Sequence, residues 1–182
     1  MTKGITLIEL MVVVAIIAIA ALFMAPAIGE WADNYRIRQA AREMVSDFQF
    51  AKLKAINRGK YCTVTFNISI SGKNYDYIVF PDDDNDLELD LGTSEETNIY
   101  KKVIWSNEYR NIGFDTAKGG GDGITFTNND NGEPSVAFNA RGLPKNNSGG
   151  FGAGTVFLIH TKNNKGRQVV VSSAGRIRID EY

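Results

Sequence analysis

From Ile5 to Ala25 the chain is apolar at almost every position (ITLIELMVVVAIIAIAALFMA), and Thr6 and Glu9 are its only polar side chains. A helix of about 20 such residues matches the thickness of a bilayer's hydrocarbon core. From Trp31 to Arg58 a helical period takes over. Trp31, Tyr35, Ala41, Met44, Val45, Phe48, Ala51 and Ala55 recur at steps of mostly three or four, with Arg36, Arg38, Arg42, Glu43, Asp47, Lys52 and Lys54 on the other faces. The pattern predicts one long helix, membrane-embedded and then amphipathic, in which Trp31 and Phe48 pack in a core and Gly59 is the stop. Pro26 removes one backbone hydrogen bond and predicts a kink.

After Gly59 the period drops to two. In Tyr61 to Ile70, Cys62, Val64, Phe66, Ile68 and Ile70 alternate with polar positions, and Tyr75 to Phe80 returns after the turn Ser71-Gly72-Lys73-Asn74. Further strands are predicted near Asn98–Trp105, Gly123–Thr127, Ser135–Asn139, Thr155–His160, Arg167–Ser172 and Arg176–Ile179, with Asn163-Asn164-Lys165-Gly166 as a hairpin turn. Runs 118–123 and 146–154 read as loops. The fold class is therefore α+β: a long N-terminal helix packed on an antiparallel β-sheet domain.

Composition narrows the function. The 182 residues are 43% hydrophobic and 23% charged, enough for one globular domain. A net charge of -1 provides no global field toward nucleic acid. The lone cysteine, Cys62, cannot form an internal disulfide, and one histidine, His160, leaves too few ligands for a usual zinc site. Cys62 reads as a buried thiol and His160 as structural. No nucleophile–base pair, phosphate loop or HExxH motif is present, so no enzyme activity is expected.

Glu9 is the informative residue, because an ionised carboxylate inside a membrane span is costly and marks function. Gly4 followed by Ile5-Thr6-Leu7-Ile8-Glu9-Leu10 resembles the processing site of type IV pilins and type II secretion pseudopilins. The resemblance implies a leader of residues 1–4, cut after Gly4 by a prepilin peptidase that methylates the new N-terminus at Ile5. It also implies a transmembrane and filament-core helix over 5–28, an amphipathic helix over 29–59 and a β-rich domain over 60–182. Glu9 falls at the family's glutamate position, where it meets the Ile5 amine of a neighbouring subunit and sets register. The single Lys3 favours an N-in orientation.

Further along, Ile37-Arg38-Gln39-Ala40-Ala41-Arg42-Glu43-Met44, Val136-Ala137-Phe138 with Arg141-Gly142, and Arg167-Gln168-Val169-Val170-Val171 with Gly175-Arg176-Ile177-Arg178 resemble the GspH/FimT branch of that superfamily. The middle, residues 71–134, carries no resemblance. The branch implies a minor pseudopilin or minor pilin in the bacterial inner membrane, single-pass, with its domain in the periplasm. Its partners are other pilin or pseudopilin subunits, the prepilin peptidase and inner-membrane lipid. Two other readings remain open: a DNA-binding minor pilin, and a secreted β protein whose signal peptide ends near Ala25-Pro26-Ala27.

Two candidate sites accompany these readings. Asp82, Asp84, Asp86 and Glu88 place hard oxygen donors at every second position, which suits Ca2+, although Leu87 stands where an EF-hand has glycine. A solvated acidic loop is the alternative. Lys162, Lys165 and Arg167 beside a turn, with Arg176 and Arg178 on the last strand, would converge on one edge and suit DNA phosphates. FimT-type pilins that bind DNA carry a similar glycine–arginine–x–arginine tail.

Overall fold

The computed structural model describes residues 4–182, and side chains outside 22–28. The Lys3 flank lies outside the described residues, and the kink expected at Pro26 falls in the stretch whose side chains are not described. Helix α1 is Leu7–Arg58, and the chain divides into two compact units, Met1–Tyr35 and Arg36–Tyr182.

In the first unit the apolar side chains from Leu7 to Ile19 stand exposed on the single subunit. A helix that is apolar all round requires other apolar material around it. Among the described residues, no helix is long and apolar enough to cross a membrane. The expected span over 5–28 draws its final third from residues 22–28. Trp31 is 69% exposed and stacks on the exposed Tyr35 at 5.8 Å, so Trp31 is not the expected core residue.

In the second unit α1 buries Ile37, Ala40, Ala41, Met44, Phe48, Ala51 and Ala55. The alanines leave the helix backbone close to what it packs on, and Phe48 fills the centre, 6.0 Å from Phe126 and 6.2 Å from Phe66. Gly59 ends the helix at φ +70°, donating its N–H to the Ala55 carbonyl at 3.0 Å.

Two antiparallel sheets share that core. Strands β1 (Tyr61–Ile70), β2 (Lys73–Asp82), β3 (Lys101–Val103), β5 (Ser135–Phe138) and β6 (Pro144–Lys145) form one, in the order β3-β2-β1-β5-β6. Strands β4 (Ile112–Phe114), β7 (Gly154–His160), β8 (Lys165–Val171) and β9 (Ile177–Glu181) form the other, in the order β4-β7-β8-β9. Short helices α2 (Ser94–Thr97) and α3 (Trp105–Glu108) lie between. The strand expected to run to Trp105 therefore stops at Val103. The one expected over Gly123–Thr127 is reduced to a single bridge, Ile124 to Val156, after a glycine turn with positive φ at Gly119–Gly121 and Gly123.

The regular alternation of β1 also breaks. Cys62, Val64 and Phe66 face the α1 core, whereas Ile68 and Ile70 join Ile78, Phe80 and Leu89 in a second cluster. Asn67, at φ +54°, lies between the two sets and redirects the strand.

A polar network ties α1 to the first sheet. Lys101 Nζ reaches Glu43 at 2.7 Å and Asp47 at 2.8 Å, Tyr77 donates to Asp47 at 2.6 Å, and Tyr109 donates to Glu43. One ammonium between two carboxylates, each also held by a tyrosine, keeps the partly buried charges satisfied.

Candidate processing and assembly site

Thr6 and Glu9 open α1 as a reciprocal pair. Glu9 Oε2 accepts from the Thr6 N–H and the Thr6 hydroxyl, each at 2.8 Å, and the Glu9 N–H donates to Thr6 Oγ1 at 3.3 Å. This is a capping box, with threonine at the N-cap and glutamate three residues on, and it satisfies two helix donors that otherwise lack partners. The T-x-x-E spacing that announces it is present in the sequence. Ile5 is 80% exposed next to it. Nothing in the subunit requires glycine at position 4, since a Cβ there would meet open space.

The acidic loop after β2 is built around two buried carboxylates. Asp82 accepts from Thr63 Oγ1 at 2.8 Å, the Asn85 N–H at 2.6 Å and the Leu87 N–H at 3.2 Å. Glu95 closes the loop from α2, accepting from the N–H groups of Asp83 at 2.6 Å and Asp90 at 3.3 Å. Burial raises the pKa of Asp82, Asp86 and Glu95, and neighbouring acids add to it. Of the four expected calcium ligands, Asp82, Asp84 and Asp86 bring carboxylate oxygens within 4.8 Å of one another. Glu88 does not join them. It accepts from Asn131 N and Nδ2, both at 2.8 Å, and so lies outside that carboxylate group.

The two glycine motifs of the C-terminal half meet on α1. Each ends a tight turn: Gly142 donates to the Asn139 carbonyl at 2.8 Å, and Gly175 to the Ser172 carbonyl at 2.8 Å. Both have left-handed φ, +72° and +76°. A Cβ on Gly175 would lie 2.7 Å from the Gly142 carbonyl oxygen, and one on Gly142 would lie 2.8 Å from Lys52 Cε. Lys52 Nζ then donates to the Gly175 carbonyl at 3.0 Å.

The family sequence model described as type II transport protein GspH matches residues 40–175. The chain belongs to the GspH family. That match takes in the middle stretch, 71–134, for which the sequence reading found no resemblance. A second model, the prokaryotic N-terminal methylation motif, matches residues 1–25. No curated protein and no solved structure matches the chain. GspH-family proteins are structural components, and the methylation motif implies membrane anchoring, processing by a prepilin peptidase and assembly with other pilin-like subunits.

In this GspH-family chain the five expected DNA-contacting cations do not converge. The β7–β8 turn occupies residues 161–164, two positions earlier than expected, and His160 pairs with Lys165. Lys162 and Lys165 are thus at the end of the sheet where Arg167 pairs with Glu181. Arg176 precedes Ile177, which pairs with Val171, so about 20 Å of strand separates it from Lys165. Two of the five are also neutralised: Arg167 bridges to Glu181 and Arg178 to Asp180, each at 2.7 Å. Sequence reasoning missed Lys52, Glu95 and Lys101 as organising residues, because their partners are 123, 12 and 58 positions away in the chain.

Proposed function

We propose that the chain is a pseudopilin of a type II secretion system, made as a precursor in the bacterial inner membrane and assembled through α1 into a periplasmic pseudopilus. The observation that carries this reading is the presence, in one chain, of a methylation motif over residues 1–25 and a GspH match over 40–175. The Thr6–Glu9 box lies within the motif. A prepilin peptidase cuts between Gly4 and Ile5. Glycine suits the cut position because a residue without a Cβ lets a protease approach the backbone closely.

Cleavage frees the Ile5 α-amine. In the lone subunit Thr6 holds the Glu9 carboxylate by hydrogen bonds. In the filament the Ile5 amine of a neighbour takes up that carboxylate, because a charge in an apolar helix bundle is tolerated only when paired. The apolar residues from Ile5 onward hold the helix in inner-membrane lipid before assembly and against other helices after it.

The test is mass analysis of membrane-extracted protein, which is expected to begin at methylated Ile5. A deletion strain should also lose secretion of the system's substrates. A mature chain beginning after Ala27, or found soluble, overturns the reading.

A further inference from the structure

Four exposed cations gather at the end of the second unit where α1 enters it. Arg110 lines a surface cleft with Arg36, the first residue of that unit, and with Gln39. Strand β4 begins two residues after Arg110, at Ile112, which pairs with His160, and the Asn111 carbonyl accepts from the Thr161 N–H at 2.9 Å. The β7–β8 turn therefore lies beside Arg110 and brings Lys162 and Lys165 to the same end. Arg38 lines a second cleft with Arg167, near the start of β8.

Arg38, Arg110, Lys162 and Lys165 are exposed and in no ion pair among the described residues. Two acids of the Arg38 cleft are already engaged, Glu181 by Arg167 and Asp180 by Arg178. Glu108, beside Arg110, is the exposed acid that faces the four cations. The far end of the unit has the opposite sign. Asp83 is held there by Arg58 and Lys60, and Asp84 and Asp90 are exposed. From Arg38 to Arg58 the helix advances about 30 Å, against a screening length of about 8 Å in physiological salt, so the two ends act independently. A chain of net charge -1 can thus present a basic end.

The order of the chain says what this end meets. Arg38 comes ten residues after the membrane span expected over 5–28. Between them, in the first unit, Trp31 and Tyr35 stand exposed and stacked, and these two residue types favour the boundary between hydrocarbon and headgroups. Basic clusters close to a span attract anionic headgroups.

We propose that Arg38, Arg110, Lys162 and Lys165 bind the phosphate groups of anionic phospholipids in the periplasmic leaflet. The inference rests on the membrane-anchored reading above and adds a resting place for the β domain before assembly. The contact is electrostatic and spread over several exposed side chains, so it is reversible and gives way when the chain is drawn into a filament.

The experiment uses the full-length chain reconstituted in vesicles. A donor dye is attached at Gln39→Cys, next to Arg38, or at Asp84→Cys at the far end, and the acceptor dye is carried on lipid headgroups. Cys62 does not compete for the label, since it is buried and its thiol is pushed up to about 12. Energy transfer from position 39 is expected to be at least about twofold higher in vesicles of equal parts phosphatidylglycerol and phosphatidylcholine than in pure phosphatidylcholine, and to lose that excess in high salt. Transfer from position 84 should not respond to lipid charge. The Arg38→Gln, Arg110→Gln, Lys162→Gln, Lys165→Gln variant should lose the excess at unchanged Tm. Inorganic phosphate should act no more strongly than chloride at equal ionic strength; a specific effect of phosphate assigns a free-anion site and overturns the proposal. Equal transfer in the two kinds of vesicle overturns it while membrane anchoring stands. With no lipid difference, retardation of duplex DNA that the variant loses assigns the cations to nucleic acid, and reduced filament entry by the variant assigns them to a partner subunit; either result overturns the lipid contact. A chain washed out of the vesicles by alkaline carbonate overturns the anchored reading and this one with it.

Discussion

Lys52 on α1 donates a 3.0 Å hydrogen bond to the carbonyl of Gly175, tying the helix to the turn that precedes the last strand. The bond is possible because Gly142 and Gly175 both lack a side chain where the two turns and the helix come together. Gly175→Ala adds a left-handed-φ penalty of about 1–2 kcal/mol and a steric clash with the Gly142 carbonyl. A loss of about 2–4 kcal/mol is expected, measured by urea unfolding of the detergent-solubilised full chain. Lys52→Met should cost less, about 1–2 kcal/mol, because it removes one hydrogen bond from a charged donor but leaves the turn intact.

Glu9 has two separable roles, and conservative substitution distinguishes them. Glu9→Gln retains an amide oxygen able to accept from the Thr6 N–H, so the capping box survives while the charge is lost. Glu9→Ala removes both. Both variants should insert in the membrane and fold their β domains. Both should fail to enter filaments, as read by shearing and immunoblotting. If Glu9→Gln assembles normally, pairing with the Ile5 amine is not the role of Glu9.

The acidic loop should make the protein more stable in mild acid. The pKa values of Asp82, Asp86 and Glu95 are raised in the fold, chiefly by burial, so the native state takes up protons there before the unfolded chain does. Stability from these groups therefore rises as pH falls from neutral toward the ordinary carboxylate range of about 4. Glu43 and Asp83 have the opposite sign. Burial opposes the charge on Glu43, but hydrogen bonds from Lys101 and Tyr109 outweigh it and lower its pKa. The Lys60 hydrogen bond lowers that of Asp83. Their contribution is present above the ordinary range and is lost below it. Tm should rise on mild acidification, pass through a maximum, and fall once the pH drops below the ordinary carboxylate range of about 4. Glu95→Gln, which cannot titrate, should flatten the rise between neutral pH and that maximum.

Two aromatic residues of α1 should behave in opposite ways. Phe48→Ala empties the centre of the core and should cost about 3–5 kcal/mol. Trp31→Ala removes an exposed ring and should change unfolding by less than about 0.5 kcal/mol. Equal losses from the two variants, in the same denaturation assay, would mean that Trp31 is covered in the folded subunit.

The sequence by itself determined what depends on neighbours in the chain. The helix from Leu7 to Arg58 follows from apolar and then amphipathic periodicity, its stop from Gly59, and the Thr6–Glu9 cap from a three-residue spacing. Strand β1 has the predicted ends, because β-branched and aromatic residues alternate between two turn signals. Tertiary structure decided what depends on distant partners. Whether Trp31 or Ile37 is buried depends on where the second unit begins, and the helical period runs through both. The division into two sheets could not be read from strands that alternate alike, and the change of face at Asn67 depends on one φ angle. Glu88 stands apart from the acidic trio because Asn131, 43 residues away in the chain, offers it two donors. The tail cations separated because strand register fixes positions along a sheet, and register is set by which side chains fill the core. Local spacing places a residue on a face, but only the packed chain determines what that face meets.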